Sequence, residues 1–439
     1  MWRSHTSTGG SDLIKLGTTA AAGGLLTAQA AQAPAGGAQS MQPAPVGFNP
    51  ADPALKFDLV IANGDVLDPS QRLRGKRDIG IKQGQIAAIA TSIAPDRAVQ
   101  RIDAGGRLLT PGLVDLHTHF CPHIGIGLPA DELVGITGTT TAVSAGDTGA
   151  LTLGAFTHWA RPQTRTRLFA FVHISTIGLA GAGQIGEMVN IEYANVDLCA
   201  KAVAENADVV LGVKVRMTES VVGQNGLEPL RRAIQAAAMA GPQFRVMCHI
   251  GNAPGSISDL LDLLRPGDIL THAFSGAGNN IVQNGQLAPA AKAAKQRGVI
   301  FDVGHGGGSF DYTVCEPALQ QGGGPDTISS DLHGISINTP GYPVLPNVMS
   351  KLLNLGVPLE EVVTRATWEP AKIINRVPGL GTLQIGAPAD ISIFDLVDGP
   401  VEFVDTRNNK RTGSKKLLPW MTVKGGRPWG RPPLPIPFS

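Results

Sequence analysis

The chain has 439 residues, of which 43% are hydrophobic and 16% are charged, and its net charge is +1. This balance is typical of a globular protein and gives no basic surface for nucleic acid and no charged tail. The body of the chain contains no apolar run of transmembrane length, so we expect no membrane partner. The cysteines lack the spacing of a disulfide scaffold; they are Cys121, Cys199, Cys248 and Cys315.

The first fifty residues differ in composition from the rest. Residues 16–51 contain no charged residue, and a mildly apolar stretch leads to Ala28-Gln-Ala30 and Ala31-Gln-Ala33, a pattern typical of a bacterial signal peptide and its cleavage site. The preceding residues 11–15 resemble the end of a twin-arginine signal, although glycines stand where the arginine pair belongs. We predict a signal-like or disordered leader over residues 1–50. We expect a periplasmic or secreted protein, and a cytoplasmic one if the leader is not a signal.

Short β-type runs bounded by glycine and proline occur near both ends of the ordered chain. They cover residues 57–62, 78–82, 85–90, 389–394 and 419–424. The two ends of the chain share this pattern of short strands, whereas the middle of the chain has a different pattern. We therefore predict that residues 51–110 and 380–439 form one composite β-sandwich.

The middle of the chain alternates between apolar strand-like runs and helical segments. The strand-like runs are residues 113–119, 139–146, 168–176, 209–216, 244–251, 268–276, 299–306 and 327–334. The clearest helical segments are residues 227–240, 256–264, 287–297, 347–355 and 359–374. Continuous apolar strands that alternate with helices predict a parallel sheet covered by helices, and eight strands are the number in a (β/α)₈ barrel. We predict an α/β fold with a TIM-like barrel over residues 111–379; an open doubly wound sheet is the alternative.

Polar side chains stand at the carboxyl ends of the predicted barrel strands. His117 and His119 end the first strand, and the alternation of side chains along a strand directs both to one side, as a pair of metal ligands requires. Other strands carry such groups at matching positions, namely Lys214, His249, His272 and Asp331. Barrel active sites lie at this rim, and burial of so many polar groups without function would be costly. The pattern therefore predicts a metal site.

This set of residues resembles the amidohydrolase superfamily. The resemblance extends from Phe57 to the C-terminus and includes the flanking runs 110–115 and 386–390. In the binuclear branch it implies the following ligands: His117, His119 and Asp331 for one metal, His249 and His272 for the other, and a carboxylated Lys214 that bridges both. A mononuclear site without Lys214 is the alternative. We expect two divalent ions and predict that they are zinc, although manganese, iron or cobalt also suit imidazole and carboxylate ligands.

The resemblance also implies a reaction. A water activated by the metals would attack an amide or ester carbonyl, with Asp331 as general base and then general acid. Residues 213–216, 271–275, 301–305 and 330–333 are similar to an amidohydrolase/deacetylase subgroup, which implies deacylation of N-acyl amino acids or acylated α-hydroxy acids. A cyclic amidase of the dihydroorotase or hydantoinase type is the alternative. An inactive barrel that acts as a binding scaffold is a second alternative, disfavoured because every expected ligand is present.

Several further residues are candidates for substrate contact. Arg216 lies two positions beyond Lys214 on one strand, where its guanidinium would hold a substrate carboxylate through two hydrogen bonds or pair with a loop carboxylate. Alternation on the third strand places Ser175, like His173, on the pocket side, and His305 ends the seventh strand beside a run of glycines. Two other histidines, His123 and His333, are assigned to loops or supporting positions. The expected partners are a small acyl substrate and further copies of the chain in a homo-oligomer.

Overall fold

The computed structural model describes residues 47–49, 52–182 and 186–430. The predicted leader therefore lies almost entirely outside the described residues. The described residues belong to one compact unit. In the described part of the chain, no helix is both long enough and apolar enough to span a bilayer.

Strands predominate at both ends of the described chain, and strands and α-helices alternate between them. The strands are β1 Phe57–Asp68, β2 Leu73–Lys82, β3 Gln85–Ala90, β4 Ala98–Asp103, β5 Leu108–Pro111, β6 Leu113–Thr118, β7 Thr139–Gly149, β8 Arg167–His173, β9 Val210–Met217, β10 Arg245–Ile250, β11 Ile269–Thr271, β12 Val282–Gln283, β13 Gln286–Leu287, β14 Ile300–Phe301, β15 Ile391–Val404, β16 Lys410–Lys424 and β17 Arg427–Gly430. The α-helices are α1 Val196–Glu205, α2 Glu219–Val222, α3 Glu228–Ala240, α4 Ile257–Leu263, α5 Pro289–Arg297, α6 Tyr312–Gln320, α7 Leu345–Asn354, α8 Leu359–Ala366 and α9 Trp368–Ile374.

Strands from both ends of the chain form a β-rich region. Their order is β17-β16-β15-β5-β1-β2-β3, and β4 also pairs with β1. The hydrogen bonding is continuous, so these strands make one eight-stranded sheet, and its arrangement as the two layers of a sandwich stays a prediction. Strand β1 has a register shift between Ile61 and Gly64 in its pairing with β2, and it pairs with β4 along its first half and with β5 along its second.

The described middle of the chain forms a parallel sheet of seven strands, in the order β14-β11-β10-β9-β8-β7-β6. Its strands are buried along almost their whole length, as expected for a sheet covered on both faces. The eighth predicted strand, residues 327–334, is not a regular strand. Single parallel bridges instead link Thr327 to Asp302 and Leu332 to Thr118, at the two edges of the sheet. The arrangement is TIM-like.

Side chains on the two faces of the parallel sheet enter different hydrophobic clusters. On β8, Phe169 and Phe171 belong to one cluster, while Leu168 and Ala170 belong to the other. The first cluster also takes Ile374 of α9, so this helix packs against the inner face of the sheet. The second cluster contains apolar side chains of α1, α3 and α4 and is the layer between the sheet and its helices.

The helices follow the predictions except at one place and in three omissions. The helix predicted over residues 359–374 is interrupted at Thr367, which separates α8 from α9. Pro370 has no N–H to continue the hydrogen-bond ladder, which favours a break just before it. Helices α1, α2 and α6 were not predicted. The first turns of α1 and α6 are held by side chains of Asn195 and Asp311, which accept hydrogen bonds from backbone N–H groups.

Candidate metal centre

Three residues from opposite ends of the barrel sequence meet in one buried cluster. Nε2 of His119 lies 3.0 Å and Nε2 of His117 lies 3.2 Å from Oδ1 of Asp331. Ligand atoms of the three side chains all lie within 4.8 Å of one another. Two imidazoles and a carboxylate at such distances are a suitable ligand set for a divalent transition metal.

The two histidines reach the cluster because β6 is irregular. The ladder between β6 and β7 shifts register between Asp115 and Thr118. Leu116 faces the inner cluster, and His117, next to it, also points into the centre. A bulge of this kind redirects a side chain that strict alternation would place on the opposite face.

The second group of predicted ligands lies beside the first. Nζ of Lys214 is 2.9 Å from Nε2 of His117. The ring of His272 lies between two others, with centroid distances of 4.9 Å to His117 and 4.1 Å to His249. The structure thus brings all six predicted ligand residues into one continuous site at the carboxyl ends of the strands, where barrel enzymes have their active sites.

Two of these residues have unusual backbone conformations. His272 has φ 57° and Asp331 has φ 49°, in the left-handed region that side chains other than glycine rarely adopt. Each residue directly follows a strand or strand-like segment and turns its side chain inward at that point. Such strain persists where the surrounding structure fixes it, and it is concentrated at functional sites.

Hydrogen bonds on the far side of the rings fix which nitrogen faces the centre. Thr271 donates its hydroxyl to Asp302 at 2.8 Å, so its oxygen accepts from Nδ1 of His117 at 2.6 Å. Nδ1 of His119 lies 2.5 Å from a carboxylate oxygen of Asp147. When the proton of each ring is on Nδ1, Nε2 has a free lone pair that can bind a metal. This arrangement is common among metal-binding histidines.

The third ring is fixed in the same way. Nδ1 of His272 donates to the backbone carbonyl of Gly304 at 2.6 Å, and a carbonyl has no proton to give. Its Nε2 is buried and has no hydrogen-bond partner among the described residues, and the same holds for Oδ1 of Asp331. Buried polar atoms without partners are costly. These two atoms face the positions that a cation would occupy, so the residues present fit a metal ion.

Burial and mutual repulsion keep most of the ring nitrogens unprotonated. Burial lowers the pKa of His272 to about 4 and holds the pKa of His117 and of His249 well below the ordinary value. His119 differs: burial lowers its pKa, but the Asp147 and Asp331 carboxylates outweigh this and raise the pKa to about 9. A bound cation would displace that proton, since a dication and an imidazolium repel each other.

The pKa values of the two remaining ionisable ligands, Asp331 and Lys214, are both lowered, which favours the charged carboxylate in one and the neutral amine in the other. Burial alone would raise the pKa of Asp331, but the neighbouring rings of His117 and His333 hold it well below its usual range. Asp331 is therefore a carboxylate. Burial lowers the pKa of Lys214 to about 8, which makes the neutral amine accessible near physiological pH.

A cavity of 220 Å³ opens onto the centre. Its polar lining comes from His119, Arg216, His249, Asp331 and His333, and its apolar lining comes from Ile126, Leu179, Ala182 and Ile335. Arg216 thus lies in the pocket, as predicted for a substrate contact. One of its guanidinium nitrogens also pairs with the buried carboxylate of Glu187, which is the pairing with a protein carboxylate considered for Arg216, while contact with a substrate carboxylate stays a prediction.

The other two predicted substrate contacts are not among the residues that line this cavity. Nε2 of His305 lies 2.8 Å from Nζ of Lys351, and its Nδ1 lies 2.9 Å from the Gly306 carbonyl oxygen. Ser175 is fully buried, and its hydroxyl has no hydrogen-bond partner within residues 47–49, 52–182 and 186–430. The structure therefore brings Arg216 to the cavity but gives His305 and Ser175 other surroundings.

Sequence reasoning missed several residues that support the centre. Asp147 is placed by a register shift in the β7–β8 ladder between Ala145 and Gly149, and it holds His119. Asp302 accepts hydrogen bonds from three hydroxyls around the Thr271 contact. Both aspartates follow an apolar strand-like run, as Asp331 does, and that shared position is the signal from which they were predictable.

Comparisons with known proteins agree with this geometry. Residues 108–427 match the model of the amidohydrolase family. A deacetylase from Agrobacterium fabrum is 35% identical over 345 residues, which are 78% of this chain and 84% of that protein. A deacetylase from Enterococcus faecalis is 31% identical over 377 residues, 85% of this chain and 99% of the other.

Solved structures give the same result at the level of the fold. The crystal structure of an adenine deaminase superposes with a TM-score of 0.79 at 31% identity and covers 86% of this chain and 100% of its own. The crystal structure of a dihydroorotase superposes with a TM-score of 0.78 at 30% identity, and the match covers 85% of this chain and 99% of that one. The fold and the histidine–aspartate cluster define a metal-dependent amidohydrolase. The chain belongs to the amidohydrolase family and is a hydrolase that acts on C–N bonds.

Proposed function

We propose that this protein is a binuclear metallohydrolase that removes acyl groups from N-acyl amino acids or acylated α-hydroxy acids. The observation that carries the proposal is the contact between Lys214 and His117 at 2.9 Å, beside the His119–Asp331 pair. It joins the two predicted ligand groups into one site. The similarity to two curated deacetylases at 31% and 35% identity supports acyl cleavage.

In this proposal His117, His119 and Asp331 would hold one ion, and His249 and His272 would hold the other. Lys214 would be a ligand to both once its neutral amine has added to carbon dioxide, which forms one N–C bond and releases one proton. The lowered pKa of Lys214, about 8, supports this step because only the unprotonated amine has the required electron pair. Zinc is the proposed metal. When bound, such ions lower the pKa of a water and polarise the scissile carbonyl.

The chain's own residues then have separate roles. Asp331 accepts a proton from the attacking water and delivers it to the leaving amine or alcohol, which its ionised carboxylate and its position in the cavity wall permit. Arg216, held in orientation by Glu187, offers its other N–H groups to a substrate carboxylate. The apolar side of the cavity suits a hydrophobic substituent. We also propose that residues 327–332 act as the eighth strand position and complete the (β/α)₈ barrel.

The test is hydrolysis by the zinc-loaded protein of a panel of N-acyl amino acids, acylated hydroxy acids and cyclic amides, with Asp331→Asn as control. Turnover of the linear acyl compounds, abolished by the substitution, is the expected result. Turnover of the cyclic amides alone would assign the cyclic amidase activity that the similarity to a dihydroorotase structure favours second. Absence of Asp331-dependent turnover of every compound would contradict the proposal.

A further inference from the structure

His333 stands in the cavity wall with a ring nitrogen that no residue in the described part of the chain binds. Its side chain is 13% exposed and lines the cavity together with Arg216 and Asp331. This nitrogen, Nε2, lies 3.8 Å from Oδ2 of Asp331, which is beyond hydrogen-bond distance. The ring therefore faces the substrate space without a bond to the carboxylate beside it.

The tautomer of His333 is set by its own turn. The backbone N–H groups of Ile335 and Ser336 both donate to Nδ1, at 3.2 Å each. A nitrogen that accepts two hydrogen bonds carries no proton, so the proton of the neutral ring is on Nε2. His333 therefore presents an N–H group to the cavity, and this nitrogen is not available as a metal ligand.

The turn that fixes this ring is rigid. The hydroxyl of Ser336 accepts from the backbone N–H of His333 at 2.9 Å and lies 3.1 Å from the carbonyl oxygen of Asp331. The N–H of Gly334 donates to the carbonyl of Ile126 at 2.9 Å, which ties this loop to the loop after β6 on the other side of the cavity. A donor held in this way binds a ligand with little loss of conformational entropy.

We propose that His333 is a specificity-determining residue whose Nε2–H donates a hydrogen bond to the carboxylate of the acylated substrate. The inference rests on the proposed function, in which the scissile carbonyl oxygen is the group that the metals polarise. The carboxylate is the anionic group of an N-acyl amino acid, and in this proposal the metals do not bind it. It has about four lone-pair positions, and Arg216 already gives part of its guanidinium to Glu187. His333 supplies the further donor.

The test compares N-acetylphenylalanine with its neutral primary amide, both racemic, on the zinc-loaded protein. The measured quantity is the ratio of kcat/KM for the acid to kcat/KM for the amide. In His333→Asn the amide oxygen replaces Nδ1 as acceptor for the turn, while the Nε2 donor is lost. We expect this ratio to fall about tenfold, the effect of one lost hydrogen bond to a charged group.

Two controls separate recognition from a structural role. Ser336→Ala loosens the turn without removal of the donor, and we expect its ratio to stay within threefold of wild type. If His333→Asn does not fold, His333→Gln, which keeps a donor near the Nε2 position, is compared with His333→Leu, which has none; a ratio retained only in His333→Gln supports the proposal, and a ratio retained in both overturns it. Equal losses for acid and amide, or a ratio that falls as far in Ser336→Ala, would overturn it.

A second measurement keeps this proposal distinct from the proposed function. If the wild-type protein hydrolyses neither compound, the deacylase assignment fails for this substrate, and calorimetric binding of N-acetylphenylalanine decides the role of His333. A dissociation constant about tenfold weaker in His333→Asn than in wild type supports it. An unchanged constant, or no binding to the wild-type protein, overturns it.

Discussion

Nζ of Lys214 contacts Nε2 of His117 at 2.9 Å, although the strands that carry these residues, β9 and β6, are separated by two others in the sheet. The contact therefore crosses the interior at the carboxyl ends of the strands. It brings an amine with a lowered pKa next to a ring whose Nε2 is unprotonated and carries a free lone pair. A bridging ligand between two metal positions has to stand at such a point.

Lys214→Met should remove the proposed bridging ligand while it keeps a side chain of similar length. We expect loss of at least one metal per protomer and a decrease in kcat/KM of more than about 100-fold, above the range seen when only the supports of ligands are changed. Metal content by mass spectrometry and rates on the best substrate measure this. Lys201→Met, on the surface of α1 at 70% exposure, is the matched control. Two bound metals in Lys214→Met would argue against the bridging role.

Asp147→Asn should weaken the metal site without change to any ligand. Asp147 holds His119 through a contact of 2.5 Å, and its carboxylate raises the basicity of that ring. Loss of such a support reduces metal affinity or activity by about 10–100-fold. Zinc titration against a competing chelator gives the affinity. Asp208→Asn, at an exposed position, should leave it unchanged, and an equally tight site in Asp147→Asn would contradict the assigned role.

Gly146→Ala should damage the site by steric contact. Gly146 has φ +92°, and a Cβ atom there would lie 2.6 Å from Cγ of Lys214. Gly106, with φ +79° and nothing within 4 Å of its Cβ position, is a matched control for backbone strain alone. Both alanine variants should lose about 1–2 kcal/mol of unfolding free energy. Only Gly146→Ala should also lose metal and activity. Urea unfolding measures the free energies, and metal analysis and rates measure the rest. Equal metal content in the two variants would contradict the predicted steric contact.

Lys351→Met should change how stability depends on pH. Burial lowers the pKa of Lys351 from 10.5 to about 7, in a site formed by His305, two backbone carbonyls and the nearby charges of Asp405 and Lys416. Between pH 7 and 10 the unfolded chain binds the extra proton, so this lysine makes wild-type stability increase with pH.

The size of this effect follows from one proton. The slope contributed by Lys351 is at most about 1.4 kcal/mol per pH unit. Lys351→Met should therefore flatten the increase measured by urea unfolding between pH 7.5 and 9.5, whereas Lys201→Met should preserve it. Other buried lysines, Lys214 and Lys424, titrate in the same range and leave a residual slope in every variant. Parallel curves for Lys351→Met and wild type would show that Lys351 is not a neutral amine in the folded protein.

The sequence alone determined the TIM-like α/β class and identified the six residues that the structure brings together in the candidate metal centre. Apolar runs of strand length that end in His117, Lys214, His249 or Asp331 identify strands and their carboxyl ends together, because the same local pattern carries both signals. The β-rich composition of the two chain ends was visible for the same reason. Local patterns do not determine which strands pair, however, and the structure shows that β1 pairs with β4 along its first half and with β5 along its second, on either side of its bulge.

Only the tertiary structure decided which side chains meet. Bulges in β6 and β7 redirect His117 and Asp147, and no periodicity in the sequence marks them. His305 follows the same strand-end pattern as the ligands but contacts Lys351, a residue from a helix 46 positions later. Side-chain direction at a strand end depends on φ and ψ of one or two residues and on distant partners. Residue type and spacing do not fix those quantities, whereas the packed barrel does.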